Sequence, residues 1–170
     1  FADKISSDFG LSHGECGSLY TAATLTSAAI LWPTGRLVDK LPLARFVWWV
    51  CATMAVGAAA FSLVSGPVTL FFGILVVRFL GQGMMSHIAV TAMARRYVAE
   101  RGRAIAIVGF GFPIAEGILP PLITIGLTIT HWQNIWIVLG ACVAVTLLPA
   151  IPFLLERTAG QDGHGAEGLV

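Results

Sequence analysis

Charge is what this sequence has least of. Only 11% of its 170 residues are Asp, Glu, Lys or Arg while 56% are hydrophobic, and a soluble domain of this size carries roughly 25% charged residues. Too few polar side chains exist to clothe a water-facing surface, which excludes a soluble globular domain and the basic face that nucleic acid would need. Cysteine is scarce as well: Cys16, Cys51 and Cys142 are odd in number and lie in or beside apolar runs. They make no disulfide or metal framework and read as small packing hydrophobes. His13, His131 and His164 fall outside the apolar runs, on opposite sides of the membrane, and only His87 falls inside one, so no zinc-ligand spacing exists. No basic leader followed by a short apolar run opens the chain, which excludes a cleavable signal peptide at this position. No metal motif and no nucleophile paired with a base stands out, so a membrane-embedded hydrolase lacks its parts and neither an enzyme nor a cofactor is expected.

What is present is long apolar runs separated by short charged gaps, the pattern of an all-α, polytopic transmembrane helical bundle. Five spans can be drawn, at 17–34, 46–64, 68–93, 104–129 and 135–155, each near the ~20 residues that a bilayer core requires. The transmembrane part is thus 1–155, and the Gly-rich segment 156–170 reads as a flexible tail or linker. Basic residues then set the orientation. Arg36, Lys40 and Arg45 fill the first gap, Arg95, Arg96, Arg101 and Arg103 the third, and Arg157 follows the last span, whereas the second and fourth gaps have neither Lys nor Arg. The basic gaps and the C-terminus are therefore expected in the cytoplasm, and Phe1–His13 outside. An odd number of spans beginning outside without an initiating Met predicts at least one preceding helix. A bacterial inner membrane or a plasma membrane is the expected location.

The first gap, Gly35-Arg-Leu-Val-Asp-Lys-Leu-Pro-Leu-Ala-Arg45, resembles the signature loop of the major facilitator superfamily, Gly-x-Leu-x-Asp-Arg-x-Gly-Arg-Arg. Gly35, Leu37, Asp39 and Lys40 match in type and spacing, whereas Pro42, Leu43 and Ala44 depart from the pattern. The resemblance implies that this loop is a conformational gate in which the acidic residue holds a helix end and closes the cytoplasmic side. A carboxylate suits a helix N-terminus because the macrodipole and unpaired N–H groups stabilise it by about 0.3–1 kcal/mol when exposed. Arg78-Phe-Leu-Gly-Gln-Gly83 is similar to the family's fourth-helix motif, and Glu100-Arg-Gly-Arg-Ala104 to the loop before its fifth helix. The resemblance therefore makes the five spans helices two to six of the N-terminal half, and implies a first helix and a second half outside this chain as its partners.

Arg78 is informative without any relative. It lies about eleven residues into its span, about 16 Å at 1.5 Å per residue, close to the bilayer midplane. Glu116 lies at a similar depth in the next span, so the two are candidates for a buried pair. Ionisable groups at that depth cost at least ~2.5 kcal/mol to insert and persist with a partner, a wet cavity or a function. Arg78 is expected to attract an anionic substrate or to modulate Glu116, which would titrate during proton coupling, and His87 could join the proton path. The fourth span is interrupted by Gly109, Gly111, Pro113 and Gly117, which bend a helix or let it pack closely. It resembles the fifth-helix motif of drug antiporters, Gly-Pro-x-x-Gly-Gly, only in part, because Phe112 and Glu116 replace glycines. The expected activity is secondary transport of a small organic solute, a carboxylate in the leading version, by alternating access with proton coupling. A proton-driven drug exporter is the first alternative. A noncatalytic membrane subunit or a membrane-embedded enzyme is the alternative of another class.

Overall fold

The computed structural model describes residues 2–40 and 42–166, with side chains described for 4–36 and 42–151. The described residues are helical, with turns between and no strand. The helices are α1 (Ala2–Phe9), α2 (His13–Lys40), α3 (Leu43–Phe61), α4 (Pro67–Arg96), α5 (Arg101–Ile129) and α6 (Trp132–Ala166). α3, α4, α5 and the Trp132–Ile151 part of α6 are long and apolar enough to cross a membrane. α2 contains the first span drawn from sequence but is not among these four. Its length suffices, at about 42 Å, while its composition is diluted by hydroxyls. Those of Thr21, Thr24, Thr26 and Thr34 each donate to a carbonyl one turn earlier, at 2.7–2.8 Å, which satisfies them without water.

Turn chemistry places the boundaries. α1 ends at Gly10, whose φ of 63° is a left-handed conformation that glycine adopts without strain. Ser12 and Glu15 then cap α2 reciprocally: the Glu15 N–H donates to Ser12 Oγ at 3.2 Å, and the Ser12 N–H and hydroxyl donate to Glu15 Oε2 at 2.9 and 2.8 Å. α2 continues through Lys40, so Gly35–Lys40 is a helical extension rather than an open loop, and Pro42 precedes the first turn of α3. At α4, Thr69 Oγ1 accepts from the Gly66 and Ser65 N–H groups and Pro67 occupies the first turn. α6 continues to Ala166, through most of the segment expected as a linker.

Packing divides into two apolar clusters. Near α1, the buried Ile5, Phe61, Val64, Leu70 and Trp132 form one core. Toward the basic end, Val50, Leu80, Met84 and Ile88 form the other, backed by Leu31 and Met54. α3 lies along α6 so closely that a Cβ built on Gly140 would meet the Ala55 carbonyl at 2.8 Å and the Ala59 nitrogen at 2.9 Å. Small residues on facing helices are what permit such approach in a membrane, where packing replaces the hydrophobic drive. α2 presents Ala23, Ser27 and Leu31 along one face, and packs against α4.

α1 is the element that sequence reading left as a polar entry segment. It folds against the bundle because Ile5 and Phe9, one turn apart, enter the first core. Trp132 is buried beside it: its indole N–H donates to Asp8 Oδ2 at 2.7 Å, and its ring meets Phe9 and Phe61 edge-on. Lys4 Nζ also donates to the Leu127 carbonyl at 3.4 Å, placing a cation on the last turns of α5.

Candidate functional site

Arg78 sits at the seam between the two cores, with Val77 packed on one and Phe79 and Leu80 in the other. It also begins a π-helical segment, Arg78–Met85, inside α4. A π-segment widens the helix by one residue per turn and is concentrated at functional positions. Two glycines allow the widened stretch to fit: Cβ atoms on Gly81 and Gly83 would crowd Met54 and Leu31 at 3.2–3.3 Å. The half-buried guanidinium then stacks on the Tyr20 ring of α2, its Cζ 4.5 Å from the ring centroid. A cation over an aromatic face gains about 0.5–1 kcal/mol when exposed and about 2 when desolvated.

The other surroundings of Tyr20 are a cavity of about 450 Å³ at the α1 end of the bundle, within the ~300–1,000 Å³ typical of ligand sites. Phe61, Leu70, Ile74 and Trp136 form its apolar walls, and Ser6, His13 and Cys16 bring polar atoms to it. Ile74 is one helical turn before Arg78, so the cavity ends where the charge begins. The Phe61 and Trp136 rings stack at 4.2 Å between centroids and stiffen one wall. Next to Cys16 in the chain, the Glu15 carboxyl is held below the usual carboxylate range by the Ser12 N–H and then the Ser12 hydroxyl.

Other residues singled out from sequence lie elsewhere. Glu116 is exposed on α5, and among the described residues no ion pair joins it to Arg78; the pairing drawn from equal depth is replaced by the Arg78–Tyr20 stack. Equal depth is not equal azimuth, and none of the most apolar stretch of α5 is buried against the bundle. His87 is exposed on α4 and lies against α2, with Nε2 3.4 Å from where a Cβ on Gly35 would be. It therefore belongs to the contact between the two helices near the basic end. Of Gly35, Leu37, Asp39 and Lys40, expected as a gate, the side chains of Leu37, Asp39 and Lys40 lie outside the described residues, and Gly35 faces His87.

α5 is interrupted at Phe110, between Gly109 and Gly111, where the Phe110 N–H turns to Ile107 at 3.2 Å. Pro113 has no N–H to give Gly109, and its ring collides with the carbonyl four residues back, which is that of Gly109. Gly117 lies on the same exposed helix with nothing within 4 Å of an added Cβ. Sequence reading missed Tyr20. The chain has 2 Tyr in all, and one inside a span, between Leu19 and Thr21, was the available signal.

No curated protein and no solved structure gives a significant match to the chain. The family model of the Major Facilitator Superfamily matches residues 1–168. Nearly the whole chain is covered, the helices suit a bilayer, and the chain belongs to the Major Facilitator Superfamily, a family of membrane transporters.

Proposed function

We propose that this chain supplies the anion-binding half-site of a secondary transporter for a small organic carboxylate, working by alternating access and coupled to protons. The observation that carries the reading is Arg78: a guanidinium in the middle of an apolar helix, partnered by an aromatic ring beside a cavity. A ring partially offsets its charge and leaves its five N–H donors for an oxyanion, which a bidentate carboxylate fits. A purely structural Arg at this depth would more economically be neutralised by a carboxylate, given an insertion cost of about 2.5–3.5 kcal/mol. Glu116 is the proton carrier in this reading. It is the one carboxylate inside the Arg101–Ile129 helix. The bent α5 and the π-segment of α4 supply the backbone compliance that a rocking bundle uses.

The test is uptake by the natural full-length protein in proteoliposomes, with an imposed pH gradient and a panel of carboxylates, sugars and cationic drugs. Arg78→Ala is expected to cut carboxylate uptake by about thirtyfold or more, given the ~2–5 kcal/mol that truncating one partner of a buried charged hydrogen bond costs. Glu116→Gln is expected to keep binding and lose the pH dependence. Carboxylate uptake that survives Arg78→Ala, or drug uptake in place of carboxylate uptake, would refute the proposal.

A further inference from the structure

We propose that Tyr20 gates Arg78: its ring covers the guanidinium and walls the cavity at once, so a carboxylate entering the cavity must displace the ring before it reaches the charge. The inference rests on the reading of Arg78 as the carboxylate site and adds to it a named gate and a narrower ligand, a monocarboxylate with an apolar body.

Three observations converge on the ring. Tyr20 both stacks on Arg78 at 4.5 Å and lines the cavity, so it stands between the two. It is 44% exposed, and among the described residues its hydroxyl makes no hydrogen bond, which leaves the stack as the specific contact that holds it. It also has somewhere to go. A helical side chain leans over the turn N-terminal to it, and that turn presents Gly17, with nothing within 4 Å of the Cβ it lacks. A ring released from Arg78 can lie over Gly17, in the cavity's own wall, and uncover the guanidinium.

The cavity specifies the rest of the ligand. Phe61, Leu70, Ile74 and Trp136 offer apolar surface to its body. Among the described residues the cavity lining has no Lys or Arg, and its polar members are Ser6, His13 and Cys16. One carboxylate and an aromatic or branched aliphatic body suit this arrangement, whereas a dicarboxylate or sugar acid would leave polar groups unpaired against apolar walls.

Because the ring must be moved aside, removing it should help. A stack of ordinary strength corresponds to a conformational penalty of roughly three- to thirtyfold in apparent affinity. The experiment uses the full-length protein in nanodiscs with Cys16 as its remaining cysteine. Cys16 lines the same cavity, so its rates of reaction with an anionic and a cationic methanethiosulfonate of matched size report the charge that the cavity feels. Phenylacetate affinity is measured in parallel.

In Tyr20→Leu and Tyr20→Ala the anionic-to-cationic rate ratio is expected to rise, and phenylacetate to bind roughly three- to thirtyfold more tightly. Tyr20→Phe should match wild type in both, because the ring and not the hydroxyl covers the charge. Adding Arg78→Gln should erase the rise. A ratio unchanged in both Tyr20→Leu and Tyr20→Ala, or raised equally in Tyr20→Phe, overturns the gate even if phenylacetate binding depends on Arg78. Phenylacetate binding that survives Arg78→Gln overturns the carboxylate site instead, and does so whether or not the ratio moved.

Discussion

A single charged side chain shows how far residue-level reasoning reaches. Arg78 could be found from the sequence because an Arg inside an apolar run is costly and therefore conspicuous. Its partner could not. Which residue faces Arg78 depends on the rotation of α2 against α4, set by the contacts of Ala23, Ser27 and Leu31, and the depth argument that pointed to Glu116 contains no rotation. The same limit hides the burial of Trp132, whose acceptor Asp8 lies 124 residues away in the chain. Short-range chemistry is more predictable. The Ser12-x-x-Glu15 box gives a pH dependence of definite sign: the Glu15 carboxyl is held below its ordinary 4.5, so it favours the capped form above that pH, and the benefit disappears as pH falls through the lowered value. Relative to their intrinsic rates, the first-turn amides of α2 should show excess hydrogen exchange as pH falls below about 4.5. Glu15→Gln should flatten that excess, and an excess that persists in the variant would remove Glu15 as its source.

At the level of elements, helices were legible and their ends less so. Spans drawn at 46–64, 68–93 and 104–129 correspond to helices Leu43–Phe61, Pro67–Arg96 and Arg101–Ile129, because apolar length is a direct physical requirement of the bilayer. The charged stretch from Gly35 was expected as a turn and is helical to Lys40, since no Pro lies between Gly35 and Pro42 and charge alone does not end a helix. α1 was overlooked because eight residues are too few to span, and its Ile5–Phe9 spacing matters only once a bundle end exists to receive it. Between elements, the α3–α6 contact offers the sharpest test. Gly140→Ala would press a methyl group on the backbone of Ala55 and Ala59, and backbone cannot rotate away. A loss of about 1–3 kcal/mol is expected, measurable as a lower midpoint in detergent unfolding. Gly117→Ala, on the open face of α5, should cost far less, and equal losses at the two positions would contradict the packing described.

For the whole molecule, composition and the superfamily match agree on a membrane transport protein, and the distribution of chemistry gives it direction. Basic residues gather at the end reached by Arg36, Arg45, Arg95, Arg96, Arg101 and Arg103, while the cavity, α1 and Tyr20 occupy the opposite end. Arg78 lies between them, behind a ring. The account therefore turns on whether that guanidinium meets a carboxylate. The most direct measurement is equilibrium binding of phenylacetate to the purified full-length protein, comparing wild type with Arg78→Lys and Arg78→Ala. Progressive weakening is predicted, partial with Lys, which keeps the charge but not the bidentate fork, and about thirtyfold or more with Ala. Equal affinity in all three would contradict the account and leave Arg78 as a packing residue between two cores.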